Sequence, residues 1–108
     1  MLECYADLKI FVGERIYVLR KHEKMSARKL SLSLGCGKGY INNIENKKNM
    51  PSMEYLYYIC EYFKITLEEF FDEKIEAPAV TSELINEIKN MNEESQEYLL
   101  SFIKSIKT

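Results

Sequence analysis

The chain has 108 residues, 46% hydrophobic and 30% charged, with 15 Lys and Arg against 17 Asp and Glu and a formal net charge of -2. That hydrophobic share excludes a disordered chain, and the length suits one compact domain or a domain with an appended segment. Four Gly and two Pro are too few for the turns of a β-sandwich or barrel, so the expected fold class is all-α, with helices joined by short loops.

From Cys4 to His22, Leu8, Phe11, Val12, Ile16 and Leu19 recur at spacings of three and four, which predicts an amphipathic first helix. Ser26 can cap a second helix of about nine residues through its hydroxyl, with Leu30 and Leu34 on one face and Gly35 as its stop. After Gly35-Cys36-Gly37, a third helix is expected over Lys38–Asn46, burying Ile41 and Ile44. Pro51 suits the beginning of a fourth helix over 51–63, with Met53, Leu56, Ile59, Cys60 and Phe63 on its apolar face. Thr66 can cap a fifth helix, Leu67–Asp72. These five helices make a unit over residues 1–73. Pro78 disfavours a helical residue before it, so 74–81 reads as a linker. In 82–108, Leu84, Ile85, Ile88 and Met91 share one side, Asn92 offers a cap, and Leu99, Phe102, Ile103 and Ile106 follow. This tail is a helical hairpin or one bent helix.

No apolar run approaches the roughly 20 residues of a membrane helix. The N-terminus lacks the basic start and apolar stretch of a secretion signal, and Cys4, Cys36 and Cys60 fit neither a disulfide framework nor a zinc site. A cytoplasmic protein with reduced thiols is expected, with no metal and no cofactor. Charge is unevenly spread. Residues 20–48 hold eight bases and two acids, and 49–73 hold one base and six acids. The basic stretch can supply phosphate contacts or be a solvated helix face.

A short helix, a glycine-containing turn and a second short helix make the helix-turn-helix pattern, in which the second helix enters the DNA major groove. The residues then become specific: Val12-Gly13-Glu14-Arg15-Ile16, Leu19-Arg20, Ser26, Leu30, Leu34-Gly35, Tyr40-Ile41, Ile44-Glu45-Asn46, Pro51-Ser52 and Ile65 to Phe71. Over residues 8–72 the chain closely resembles the XRE family of Cro and phage-repressor-type helix-turn-helix domains.

The resemblance implies a five-helix, lambda-repressor-like domain that binds operator DNA, usually as a dimer, and has no enzymatic activity. The third helix corresponds to the recognition helix, where Lys38, Gly39 and Asn42 or Asn43 are the candidates for base contacts. Arg28, Lys29, Tyr40, Lys47 and Lys48 are the candidates for phosphate contacts. Arg15 and Glu45 match positions that form an ion pair in the family. Some positions depart from the family pattern. Ala27 stands where a glutamine is common, Gly37 and Gly39 where polar side chains are frequent, Lys47 where a glycine often ends the helix, and Leu32 where the residue is usually polar. These departures support an alternative, a protein-interaction module such as an antitoxin or an antirepressor-like adaptor that uses the C-terminal helices. The tail is expected to dimerise or to dock on its own domain.

Overall fold

The computed structural model describes residues 3–107. These form α1 (Tyr5–His22), α2 (Ala27–Ser33), α3 (Tyr40–Glu45), α4 (Met53–Tyr62), α5 (Leu67–Phe71), α6 (Pro78–Lys89) and α7 (Glu93–Ile106), with no strand among the described residues.

Local chemistry sets most of these boundaries. Ser26, Ser52, Thr66 and Asn92 each accept from the backbone N–H three residues on, which starts α2, α4, α5 and α7. At Thr66 the Glu69 carboxylate returns the bond to the Thr66 N–H, completing a capping box. Four helices stop in one way, through a residue in the left-handed region: Lys24 after α1, Gly35 after α2, Lys47 after α3 and Lys64 after α4. The next residue then donates back into the helix, Met25 to the Arg20 carbonyl, Cys36 to Ser31, Lys48 to Asn43 and Ile65 to Cys60. The stops are sharp, so the helices remain short and the chain can fold around one core.

That core contains Val12, Ile16 and Leu19 of α1, Leu30 of α2, Ile41 and Ile44 of α3, Leu56 and Ile59 of α4, and Phe70 of α5, all nearly or fully buried. Phe11 extends it, stacking on Phe71 and meeting Phe70 edge-on. The closest approach is at Gly13. A Cβ there would lie 2.9 Å from the Ile44 carbonyl oxygen and 3.2 Å from the Glu45 Cα, so a hydrogen at this position lets α1 cross directly against the backbone of α3.

Several boundaries differ from the sequence reading, and α2 has 7 residues where about nine were expected. The third helix begins at Tyr40 with Gly39 as its N-cap, leaving Lys38 and Gly39 in the preceding turn; a start at Lys38 would need Gly37 as the cap, which has no side chain to offer. The fourth begins at Met53, since Ser52 is the cap and Pro51 precedes it; Met53 is 71% exposed, one turn beyond the buried stripe of Leu56, Ile59, Cys60 and Phe63. The expected linker 74–81 is helical from Pro78 onward. Proline lacks an N–H that the first helical position does not use, and Ala77 before it is non-helical, as a residue preceding proline prefers. Pro78 is buried and Ala79 packs on the core, so α6 starts against the five-helix unit.

The tail is two helices separated by Asn90-Met91-Asn92, and the Gln96 side chain donates to the Ile88 and Met91 carbonyls across that break. Not one residue of α7 is buried. The radius of gyration is 16.3 Å, against about 13 Å for a compact chain of this size.

Candidate nucleic-acid interface

Surface exposure along α2, the turn and α3 separates side chains that face solvent from those that hold the fold. Arg28 and Lys29 are exposed on the first turn of α2, Lys38 and Gly39 in the turn, Asn42 on α3, and Lys47 and Lys48 just beyond it. Asn43 is half-buried, which leaves Asn42 as the more accessible amide of the two. Between residues 24 and 48 the only acid is Glu45. Its carboxylate is bound by Arg20, Nε to Oε2 at 2.7 Å and Nη2 to Oε1 at 2.8 Å. The one negative charge in this stretch of the chain is therefore already neutralised.

Tyr40 is half-buried. Its ring lies 5.1 Å from that of Tyr55, and burial pushes the hydroxyl's pKa up, while hydrogen bonding to Ser52 opposes the shift. Leu32, by contrast, is 57% exposed on α2. An isolated apolar residue there adds little to phosphate binding.

The expected Arg15–Glu45 ion pair is replaced by Arg20–Glu45. At about 100° per residue, Arg20 falls within about 20° of Gly13 on α1, the face that touches α3, whereas Arg15 is about 160° away. Arg20 also donates to the Met25 carbonyl at 3.0 Å, and its guanidinium lies 4.9 Å from the Tyr17 ring centre. The bonds from Glu45 raise its pKa despite burial. Arg15 faces the other way, 6% exposed, over the Phe11 ring, donating to the Ile75 carbonyl and, at 2.8 Å, to that of Asp72. Burial lowers its pKa and nearby Asp72 opposes the shift. Arg15 thus ties the strip leading to α6 onto α1.

Sequence reasoning also missed Ser31. It is fully buried, its hydroxyl donating to the Ala27 carbonyl and accepting from the Ile41 N–H, each at 3.0 Å. The signal was present. Ala27, Leu30, Ser31 and Leu34 follow the i, i+3, i+4, i+7 spacing of one helical face, so a serine stands within an apolar stripe.

Two short helices joined by a tight turn, the second flanked by exposed cations, define a helix-turn-helix protein. A family model described as "Helix-turn-helix domain" matches residues 13–76, more than half of the chain, and the chain belongs to that family, within the XRE-like group. No curated protein and no solved structure matches it. The family assignment makes this a DNA-binding regulator domain. No described helix is long and apolar enough to cross a membrane, and no cluster of potential metal ligands occurs among the described residues.

Proposed function

We propose that the chain is a sequence-specific, double-stranded DNA-binding transcriptional repressor that works as a homodimer in the cytoplasm, with α3 in the major groove. The observation that carries this is the exposure of Arg28, Lys29, Lys38, Lys47 and Lys48 from the start of α2 to the end of α3, a stretch whose one acid, Glu45, is bound by Arg20. Phosphate contacts from Arg28, Lys29, Lys47 and Lys48 supply affinity and position α3, with the Tyr40 backbone and ring at its entrance. Asn42 and Lys38 then read base edges, Asn42 by its amide on adenine and Lys38 on guanine. Gly39 admits close backbone approach, and Asn43 reaches the neighbouring pair from the side of α3. Repression needs no further chemistry than occupancy of the site.

The dimer reading is supported by α7. Phe102, Ile103 and Ile106 are 39–65% exposed along it and share a face with half-buried Leu99, a stripe that a second copy can cover. Glu93, Glu94 and Glu97 lie in its first half, with Lys104 near its end and Lys107 just beyond. An antiparallel pair of α7 helices sets each acidic half beside a basic one. Two domains held in this way address half-sites about 34 Å apart.

The test is selection of duplexes from a random pool, followed by titration against salt. With four phosphate contacts in each subunit, the slope of log K against log salt is expected near -7, at about 0.9 per contact. A slope near zero refutes the mechanism. Truncation after Met91 is expected to convert the dimer to a monomer and leave the five-helix unit folded, since α7 buries no residue; a truncated protein that is still a dimer, or a full chain that is a monomer, refutes the α7 dimer. The exposed Leu32 favours one other reading, a protein-interaction module on the same scaffold. Lys38→Glu with Lys48→Glu separates the two, abolishing DNA binding in the first and leaving partner capture intact in the second.

A further inference from the structure

Of the four short helices α2 to α5, three carry their own N-terminal side-chain cap and α3 does not. Its first residue, Tyr40, donates to the Gly37 carbonyl. The second, Ile41, is fully buried, so its N–H cannot turn to water and needs a partner inside the protein. That partner is the Ser31 hydroxyl, on a different helix. Ser31 holds the turn as well: its carbonyl accepts from the Cys36 N–H and from the Cys36 Sγ, both at 3.1 Å. A single buried residue therefore binds α2, the turn and the first turn of α3.

The fully buried side chains that α2 and α3 otherwise place in the core, Leu30, Ile41 and Ile44, are apolar. Apolar packing is non-directional and tolerates small rotations and slides, whereas a hydrogen bond in a dry site loses strength steeply as its geometry changes. We propose that Ser31 is the positioning residue of the recognition helix, a cap supplied from α2 that fixes where Lys38 and Asn42 meet the base edges. This rests on the reading of α3 as the helix that enters DNA. Ser31 itself touches no nucleotide.

The test compares Ser31→Ala with a stability control, Ile59→Val, which trims the core on α4 away from the turn. Both are titrated with a duplex that the wild-type protein selects from a random pool and with random-sequence DNA. Ser31→Ala is expected to weaken binding to the selected duplex about tenfold while changing random-DNA binding less than about twofold. Ile59→Val leaves both unchanged. Amide exchange at Ile41 should accelerate in Ser31→Ala beyond that at Leu30 and Ile44. Equal binding of the selected duplex by Ser31→Ala and wild type overturns the assignment, as does an equal loss on both DNAs. If Ser31→Ala does not fold, the wild-type Ile41 amide decides: slow exchange supports the bond, and exchange at the rate of an open amide overturns it. A wild-type protein that selects no sequence at all refutes the DNA-binding reading instead, so the two failures are distinct.

Discussion

Gly13→Ala sets two effects of opposite sign against each other. Within a helix, alanine is favoured over glycine by about 1 kcal/mol, because it restricts the unfolded chain. Position 13 lies inside α1, so propensity alone predicts a more stable protein. The added methyl, however, would sit 2.9 Å from the Ile44 carbonyl oxygen, 3.2 Å from the Glu45 Cα and 3.3 Å from the Glu45 carbonyl oxygen. All three are backbone atoms of α3 and cannot swing aside like the end of a side chain. Overpacking of this kind costs about 1–3 kcal/mol, toward the upper end when the neighbour is rigid. The expected net is a loss of about 2 kcal/mol, or roughly 30-fold in the folding equilibrium. Urea denaturation measures it directly, as a lower midpoint with an unchanged slope. Gly37→Ala and Gly39→Ala are the internal controls, because a Cβ at either meets nothing within 4 Å. A Gly13→Ala protein as stable as the wild type would refute the close crossing of α1 over α3.

Arg20→Leu leaves Glu45 and the Met25 carbonyl without their donor and should cost about 2 kcal/mol in urea denaturation. Arg15→Leu should accelerate amide exchange mainly at residues 72–77, with the selected duplex still bound. Cys60 is buried and its thiol is pushed up to about 11, chiefly by burial. In the folded state it should resist a thiol reagent at pH 8 while exposed Cys4 reacts at once. The folded state holds this proton longer than the unfolded chain does, so the associated stability is complete below pH 9 and declines as pH rises from there through about 11; a flat stability profile over that range would contradict it. Lys47→Gly relieves a non-glycine residue at φ 63° while deleting a cation. Stability should hold or rise by up to about 1 kcal/mol, and DNA affinity should fall with a shallower salt slope.

Much of the fold was legible because its signals are local. The caps at Ser26, Thr66 and Asn92 and the spacing of Val12, Ile16 and Leu19 need only neighbours in sequence. Pro78 was harder, since the restriction it places on the preceding residue is the same whether a helix ends there or begins. The Arg15 assignment failed for another reason. Choosing between Arg15 and Arg20 requires knowing which face of α1 meets α3, and that is set by the missing side chain at Gly13. Ser31 lay within a readable stripe, but its partner is the N–H of Ile41, and backbone groups carry no mark in the sequence. The exposed cations were found from charge alone because solvation asks nothing of tertiary structure.

At six residues, α3 is too short to be stable by itself. Its position is imposed from outside, by the Ser31 bond near its start, by the Arg20 pair at Glu45, its last residue, and by the backbone contact at Gly13 beside Ile44. None of these groups faces DNA in the proposed complex. Substitutions therefore divide into two kinds. Changing Asn42 alters which base is preferred at one position of the site, because only the amide's own hydrogen bonds change. Loosening Gly13, Arg20 or Ser31 lowers affinity for the preferred site and its single-base variants together, because every reading group on α3 shifts at once. Competition among a selected duplex and its single-base variants distinguishes these patterns, and an altered preference confined to one base pair in Ser31→Ala would show that α3 is held by something else.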